Sequence, residues 1–373
     1  MSHLYIHIPF CHSKCPYCDF FSVATKKWHS EFVQALCGEV VMRHGEISGA
    51  LKTIYFGGGT PSLLSEQDLE RIISEIRKNF SIESDAEITL EANPDDITPE
   101  KLYFWQSVGV NRLSIGIQSL NDEELKFLGR RHNAARSRTA LYDAIEAGFD
   151  NISVDLIHGV PGSDPENTFK AIEEFSQNGV KHLSMYSLTI EKGTILENRI
   201  RKGILNNTDE DFQASVYEKA VEKAEEFGFK QYEISNSCVP GFESQHNSAY
   251  WKGAPYLGLG PSAHSFDGKS RRWNVADIQQ YINGINDQKP VYESEILSKT
   301  DKYNEFLLTR LRLIHGIDFF EMEQLFGKQS VENIIHEIEK LNSPQYFHTT
   351  EKSLALTRSG LLFADRIISE LMK

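Results

Sequence analysis

Three cysteines, Cys11, Cys15 and Cys18, crowd one short run, CHSKCPYC, directly after the segment LYIHI. Thiolates spaced so tightly can be aimed at one iron–sulfur cube, a group normally held by four of them. A set of three leaves one iron without a protein ligand, and that vacancy is where chemistry can occur. Other readings of the same residues stand beside this one. A disulfide would leave a cysteine over, and no charged segment leading into an apolar one marks the chain for an oxidising compartment. Zinc could take Cys15 and Cys18 with His7 or His12. Structural zinc sites, however, usually draw a second ligand pair from far along the chain, and the remaining cysteines, Cys37 and Cys238, are isolated.

Strand-like runs recur through the first half: LYIHI (4–8), TIYFGG (53–58), EITLEA (87–92), RLSIGIQS (112–119), NISVDLI (151–157) and HLSMYSL (182–188). Helical patterns lie between most of them. In SEQDLERIISEIRKNF, Ser65 can cap, Asp68 follows three residues on, and Leu69, Ile72, Ile73, Ile76 and Phe80 recur at helical spacing. PENTFKAIEEFSQNG is similar, with Gly179 as its stop. Repeated βα units predict an α/β fold with a parallel sheet.

The chemistry-bearing residues choose between the forms of that fold. The cysteines follow the first run and GGGTP (57–61) the second; Glu91 and Gln118 close the third and fourth, and Asp155 lies near the end of the fifth. Polar and glycine residues gathered at the C-terminal ends of successive strands mark the active face of a βα barrel. The expected architecture is a partial (βα)6 TIM-like barrel over residues 1–190 with an extension over 191–295, followed by a small helical or winged-helix-like domain over 296–373. Within the extension a long helix is expected from Thr208 to Gly228, then a glycine- and aromatic-rich stretch over 246–268. The last segment reads as mainly helical, ending in LALTRSGLLFADRIISELMK.

With 373 residues, 40% of them hydrophobic, the chain can bury a sizeable core, and no apolar run approaches the ~18 residues of a membrane helix. A cytoplasmic protein is expected, in peripheral contact with a membrane at most. A net charge of −14 argues against general affinity for nucleic acid. Residues 295–373 hold 10 Lys and Arg against 12 Asp and Glu, so the C-terminal segment offers no phosphate footprint either and is expected to pack on the barrel.

An open iron calls for a ligand that offers nitrogen and oxygen together, as the amino acid end of S-adenosylmethionine does. Gly58, Gly59 and Thr60 could receive that end, since glycines let backbone approach a ligand closely. The run is no phosphate loop, lacking both a following Lys-Ser/Thr pair and GxGxxG spacing, and a tight turn explains it equally well. Glu91 and Asp155 could accept from ribose hydroxyls and lie near the sulfonium, Gln118 and Arg130 could fix the carboxylate or ribose, and Tyr5 and Tyr17 could pack on adenine. Taken singly, each reads as well as a helix cap, a solvated charge or core; their shared face favours a joint role.

YIHIPFCHSKCPYCDF, followed by GGGTP, EANP, GIQS, LGRRH and SVDLI, resembles the radical S-adenosylmethionine proteins related to oxygen-independent coproporphyrinogen III dehydrogenase over essentially the whole chain. The resemblance implies a 4Fe–4S cluster on Cys11, Cys15 and Cys18. It implies a cofactor contacted by Tyr5, Tyr17, Gly58, Gly59, Thr60, Glu91, Gln118, Arg130 and Asp155, whose sulfonium an electron from the cluster would cleave to a 5′-deoxyadenosyl radical, with an electron donor needed if it is cleaved. Two departures from the dehydrogenases stand out. Phe20 occupies the place of a further cysteine, and the first strand begins near Leu4 without a preceding extension. The haem chaperones of the HemW type are the nearer match, having CxxxCxxC followed by Asp-Phe and an HNxxYW motif, here HNSAYW. That match implies a protein that binds haem and passes it to haem-requiring partners, the alternative being oxidative decarboxylation of coproporphyrinogen III. His246 of the motif is then a haem ligand beside Tyr250 and Trp251, or else a histidine bonded within an aromatic core; His264 in GPSAHS is a second candidate.

Overall fold

Each of the six strand-like runs forms a strand in the computed structural model, which describes residues 1–25, 27–205 and 209–373. They are β1 (His3–Ile8), β2 (Leu51–Gly58), β3 (Ile82–Ala92), β4 (Arg112–Gln118), β5 (Asn151–His158) and β6 (His182–Ser187). All are parallel and paired in that order. Their apolar character follows from burial on both faces, helices covering the outside while the inner face lines the barrel. The helix Glu66–Asn79 starts as expected, the Ser65 hydroxyl accepting from the Asp68 N–H at 3.1 Å, and it buries Leu69, Ile72, Ile73 and Ile76. The helix Glu166–Gln177 stops ahead of Gly179, whose φ is 80°. The helix expected from Thr208 spans Glu210–Glu226 with Asp209 as its cap; Thr208 itself lies outside the described residues.

The sheet is larger than expected. Beyond β6 it gains the antiparallel strands β7 (Lys230–Gln231) and β8 (Asn236–Cys238), and beyond β1 it gains β9 (Tyr256–Leu259), β10 (His264–Phe266), β11 (Ser270–Asn274) and β12 (Tyr292–Ile296). β9 runs parallel to β1, a seventh parallel strand inside the stretch read only as glycine- and aromatic-rich. Four residues with a glycine in the middle are too few to show a strand's alternation. The order is β12-β11-β10-β9-β1-β2-β3-β4-β5-β6-β8-β7, so the two edges do not meet and the barrel is open.

Residues 299–371 build a second core, including Phe306, Leu307, Leu354 and Ile368, from helices and the small antiparallel sheet of β13 (Ile317–Asp318), β14 (Phe347–Thr349) and β15 (Ser353–Leu356). β15 corrects the helical reading of the final run: Leu354 pairs with Ile317 of β13 and Thr349 of β14, Leu356 pairs with Phe347 of β14, and tertiary pairing overrides local pattern. This unit docks on the barrel edge through backbone. The Ile234 N–H donates to the Arg312 carbonyl at 2.9 Å, and the Ile314 N–H to that of Tyr232 at 3.2 Å.

The opposite, N-terminal end of the strands is filled by the helix Gln245–Trp251. Glu87 of β3 accepts from the backbone N–H groups of Gln245 and His246, at 3.1 and 3.0 Å. His246 is 1% exposed; its Nδ1 meets the Thr53 hydroxyl at 2.7 Å, its Nε2 meets the Tyr250 hydroxyl at 2.7 Å, and its ring stacks on Tyr55.

Candidate functional site

The cysteine loop leaves β1 and is tied at its neck. The Cys11 N–H donates to the Val23 carbonyl at 3.1 Å and the Val23 N–H to that of Pro9 at 2.7 Å. His7 braces the far side, its Nε2 2.8 Å from the Phe21 carbonyl oxygen and its Nδ1 3.1 Å from the Tyr5 hydroxyl. Both ring nitrogens are engaged and the ring is buried, so His7 is a strut for the loop and not a zinc ligand. Among the described residues no three His, Cys, Asp or Glu side chains converge on a point one ion could occupy, the arrangement zinc requires. The thiols of a cube bind separate irons and need no such convergence.

Cys11, Cys15 and Cys18 are free and half-buried. The Thr60 hydroxyl lies 3.5 Å from the Cys11 Sγ and an Arg130 Nη 3.7 Å from the Cys15 Sγ. The glycines of the second turn have a protein-internal use that the sequence reading did not foresee. Gly58 has φ 108°, and a Cβ there would lie 2.5 Å from the His7 ring; at Gly59 it would lie 2.6 Å from the Phe10 carbonyl oxygen. Both residues let the end of β2 close on the cysteine loop.

Deeper in, Glu91 accepts from the Tyr55 hydroxyl at 2.8 Å and the Gly58 N–H at 3.1 Å, and Asp155 accepts from the Ser114 hydroxyl at 3.1 Å. Burial pushes Glu91 up to about 7, despite the Tyr55 bond and with the Asp155 charge adding to the shift. Burial likewise raises Asp155 to about 6, opposed by its serine donors. Gln118 takes a left-handed φ of 70° where the pairing of β4 and β5 shifts register, an irregularity of the kind that re-aims side chains beside sites. The Arg130 guanidinium donates to the Gly116 carbonyl at 2.6 Å and so reaches back from its loop to β4.

One cavity of about 650 Å³ takes in Cys11, Cys15, Cys18, Tyr17, Gly58, Gly59, Thr60, Glu91, Gln118, Arg130 and Asp155. Two residues expected at the site do not reach it. Tyr5 lies one layer below, stacked on Tyr55 with its hydroxyl on His7, because inward positions of β1 descend through His7, Tyr5 and His3. His246 fills the floor of the barrel with both ring nitrogens hydrogen-bonded, an arrangement that fits the other reading of this residue, a histidine bonded within an aromatic core. His264 is exposed on β10, tilted against Trp273, and also lies off the cavity. The sequence reading missed Tyr55 and Ser114, the donors that hold the two carboxylates, and Tyr186 and Arg312 in the cavity wall. A signal existed for the first two: polar residues at every second position of apolar strands mark an inner face.

Residues 5–175 match the radical SAM superfamily model and residues 297–363 the HemN C-terminal domain model. The chain is 36% identical to the heme chaperone HemW of Lactococcus lactis over 94% of each chain. It is 33% identical to that of Escherichia coli, over 98% of this chain and 96% of the relative. Among solved structures, coproporphyrinogen III oxidase (HemN) from Escherichia coli superposes with a TM-score of 0.85 at 23% identity, covering 99% of this chain and 89% of that one, which establishes the shared fold. Together with the cysteine loop at the mouth of an open barrel, identity of this extent across the full length shows that the chain belongs to the HemW family of heme chaperones, built on the radical SAM fold.

Proposed function

We propose that the protein holds a 4Fe–4S cluster on Cys11, Cys15 and Cys18, binds S-adenosylmethionine beside it, and carries haem to haem-requiring proteins in the cytoplasm, touching the membrane peripherally where it hands haem on. The observation that carries this reading is the convergence of three thiols and eight glycine or polar residues, from successive strand ends, on one cavity. The donor set suits a cluster. The thiols are free and open to the cavity, and the Arg130 guanidinium beside Cys15 offsets negative charge. Burial pushes the Cys18 thiol up, so metal binding there would release a proton. When bound, the cluster would supply one-electron chemistry to the sulfonium, and cleavage of the cofactor would call for an electron donor. Glu91 and Asp155 would face a cationic ligand, Tyr17 would cover it, and Gln118 would meet its polar end. The haem part of the reading is supported by the family membership.

The test is a titration of the reconstituted full-length protein with haemin, followed by incubation with coproporphyrinogen III, reductant and S-adenosylmethionine. A saturable Soret shift without formation of protoporphyrinogen is expected. Decarboxylation faster than about one turnover per second, a rate ordinary for enzymes, overturns the carrier reading.

The carboxylates make cofactor binding pH-dependent. With Glu91 near 7 and Asp155 near 6, both are increasingly protonated as pH falls below 7. A cationic ligand favours their ionised forms, so S-adenosylmethionine affinity should rise between pH 5.5 and about 8 and level off above. Linkage works the opposite way on the ligand-free fold. Carboxyls raised above their unfolded values of about 4 favour the folded state at low pH, and that contribution is lost as pH rises through 6 to 7. Equilibrium binding at several pH values, with Glu91→Gln removing most of the dependence near 7, checks the assignment; a flat profile in the unsubstituted protein counts against it.

A further inference from the structure

The cavity has a second half that the cofactor residues do not use. Its wall comes from the end of β6, from Tyr217 of the helix Glu210–Glu226, from the turn between β7 and β8, and from the C-terminal unit; Met185, Tyr186, Leu188, Ile234 and Leu361 give it an apolar stretch, with Ser187, Thr189, Glu191 and Ser235 among its polar residues. Tyr186 is 44% exposed although it lies on an inner strand, and that exposure is into the cavity. In this half one described lining residue is a cation, Arg312. The other cationic arginines of the cavity are committed elsewhere, Arg130 to the Gly116 carbonyl and the Cys15 sulfur, Arg131 to Asp95 at 3.2 Å.

Arg312 pairs with Asp365, whose side chain is 80% exposed. Its Nε is buried and meets no partner among the described residues. Glu233, 1% exposed and with one carboxyl oxygen unpartnered among the described residues, lies close enough for Arg312 to bear on its ionisation. A guanidinium held on an apolar wall recognises a flat, apolar molecule with a carboxylate edge, the two N–H groups of the fork matching two oxygens. Asp365 takes up part of that fork, one of its carboxyl oxygens meeting one Nη of Arg312. Being exposed, it holds the fork weakly and can swing into water when another carboxylate arrives.

We propose that Arg312 is the receptor for a carboxylate of the cargo, and that Asp365 occupies the receptor until the cargo displaces it. This deepens the haem-carrier reading and rests on it: the propionate edge of haem would meet Arg312 while its ring lies on Tyr186, Tyr217 and Leu361.

Haemin and haemin dimethyl ester are titrated, by Soret absorbance, into the reconstituted full-length protein and its Arg312→Gln and Asp365→Asn variants. Loss of a charge-assisted pair predicts that Arg312→Gln binds haemin about tenfold or more weakly. Asp365→Asn, which removes the internal competitor, is expected to bind it as tightly as the parent or more so. The ester should bind the parent more weakly than haemin does and be indifferent to Arg312→Gln. Haemin binding unchanged in Arg312→Gln, or the ester matching haemin in the parent, overturns the receptor and leaves the carrier reading standing. Should Arg312→Gln fail to fold, Asp365→Asn and the ester decide: either weaker haemin binding in the former or no ester penalty in the parent overturns the receptor. A parent that binds no haemin overturns the carrier reading, and the receptor with it.

Discussion

Replacing any one of Cys11, Cys15 or Cys18 by alanine is expected to abolish iron retention after anaerobic reconstitution, where the parent should hold about four irons per chain and be brown. A cube held by three thiols has none to spare, and no other cysteine is placed to substitute. Cys37 lies on the buried face of the helix His29–Arg43, and Cys238 lies in β8, 1% exposed, its thiol pushed by burial up to about 12 and so kept protonated. Iron and sulfide analysis with the visible spectrum makes the measurement. Cys37→Ala and Cys238→Ala should match the parent; loss of iron in Cys238→Ala equal to that in Cys15→Ala would show that the ligand set is wrong.

His246→Ala is expected to cost about 2–4 kcal/mol of stability while leaving the haem spectrum unchanged. The substitution empties a packed position between Tyr55 and Tyr250 and strips partners from the Thr53 and Tyr250 hydroxyls at a site closed to water. Burial holds the imidazole down to about 3, so it is neutral at any ordinary pH and bonds as a neutral ring. Urea unfolding followed by circular dichroism reads the first effect and a haemin titration the second. A changed Soret band with an unmoved unfolding midpoint would restore the ligand role to His246.

The six parallel strands and their helices were legible because strand burial on both faces leaves dense β-branched runs, and because Ser65 and Gly179 carry their caps openly. The site was legible for a related reason: residues that end strands announce their position whatever else they do, so Cys11, Gly59, Glu91 and Gln118 could be assigned to one face without coordinates. What failed was depth. Tyr5 and His246 are compatible in type with a ligand site, and only the layering of inward positions shows that both lie below the cavity, His246 on the floor of the barrel. Short elements failed as well. β9 and β15 are strands by virtue of their neighbours, which no local pattern records. Arg312 could not have been found from its surroundings in sequence, since its partners come from β8's approach, from Asp365 and from an inner wall brought to it by docking.

The neck of the cysteine loop has a bearing on how the protein is loaded. Phe10 and Val23 pair across it, and backbone bonds at Cys11 and Val23 close it without the use of any thiol. The entropic cost of closing that loop is therefore met by the fold itself, and the metal need order only the short stretch between. Metal binding in such an arrangement is an addition to a formed structure, unlike the small domains whose folding waits on the ion. Iron-free chain would then persist as a folded reserve, competent to accept a cluster when supply returns and without passing through an unfolded state.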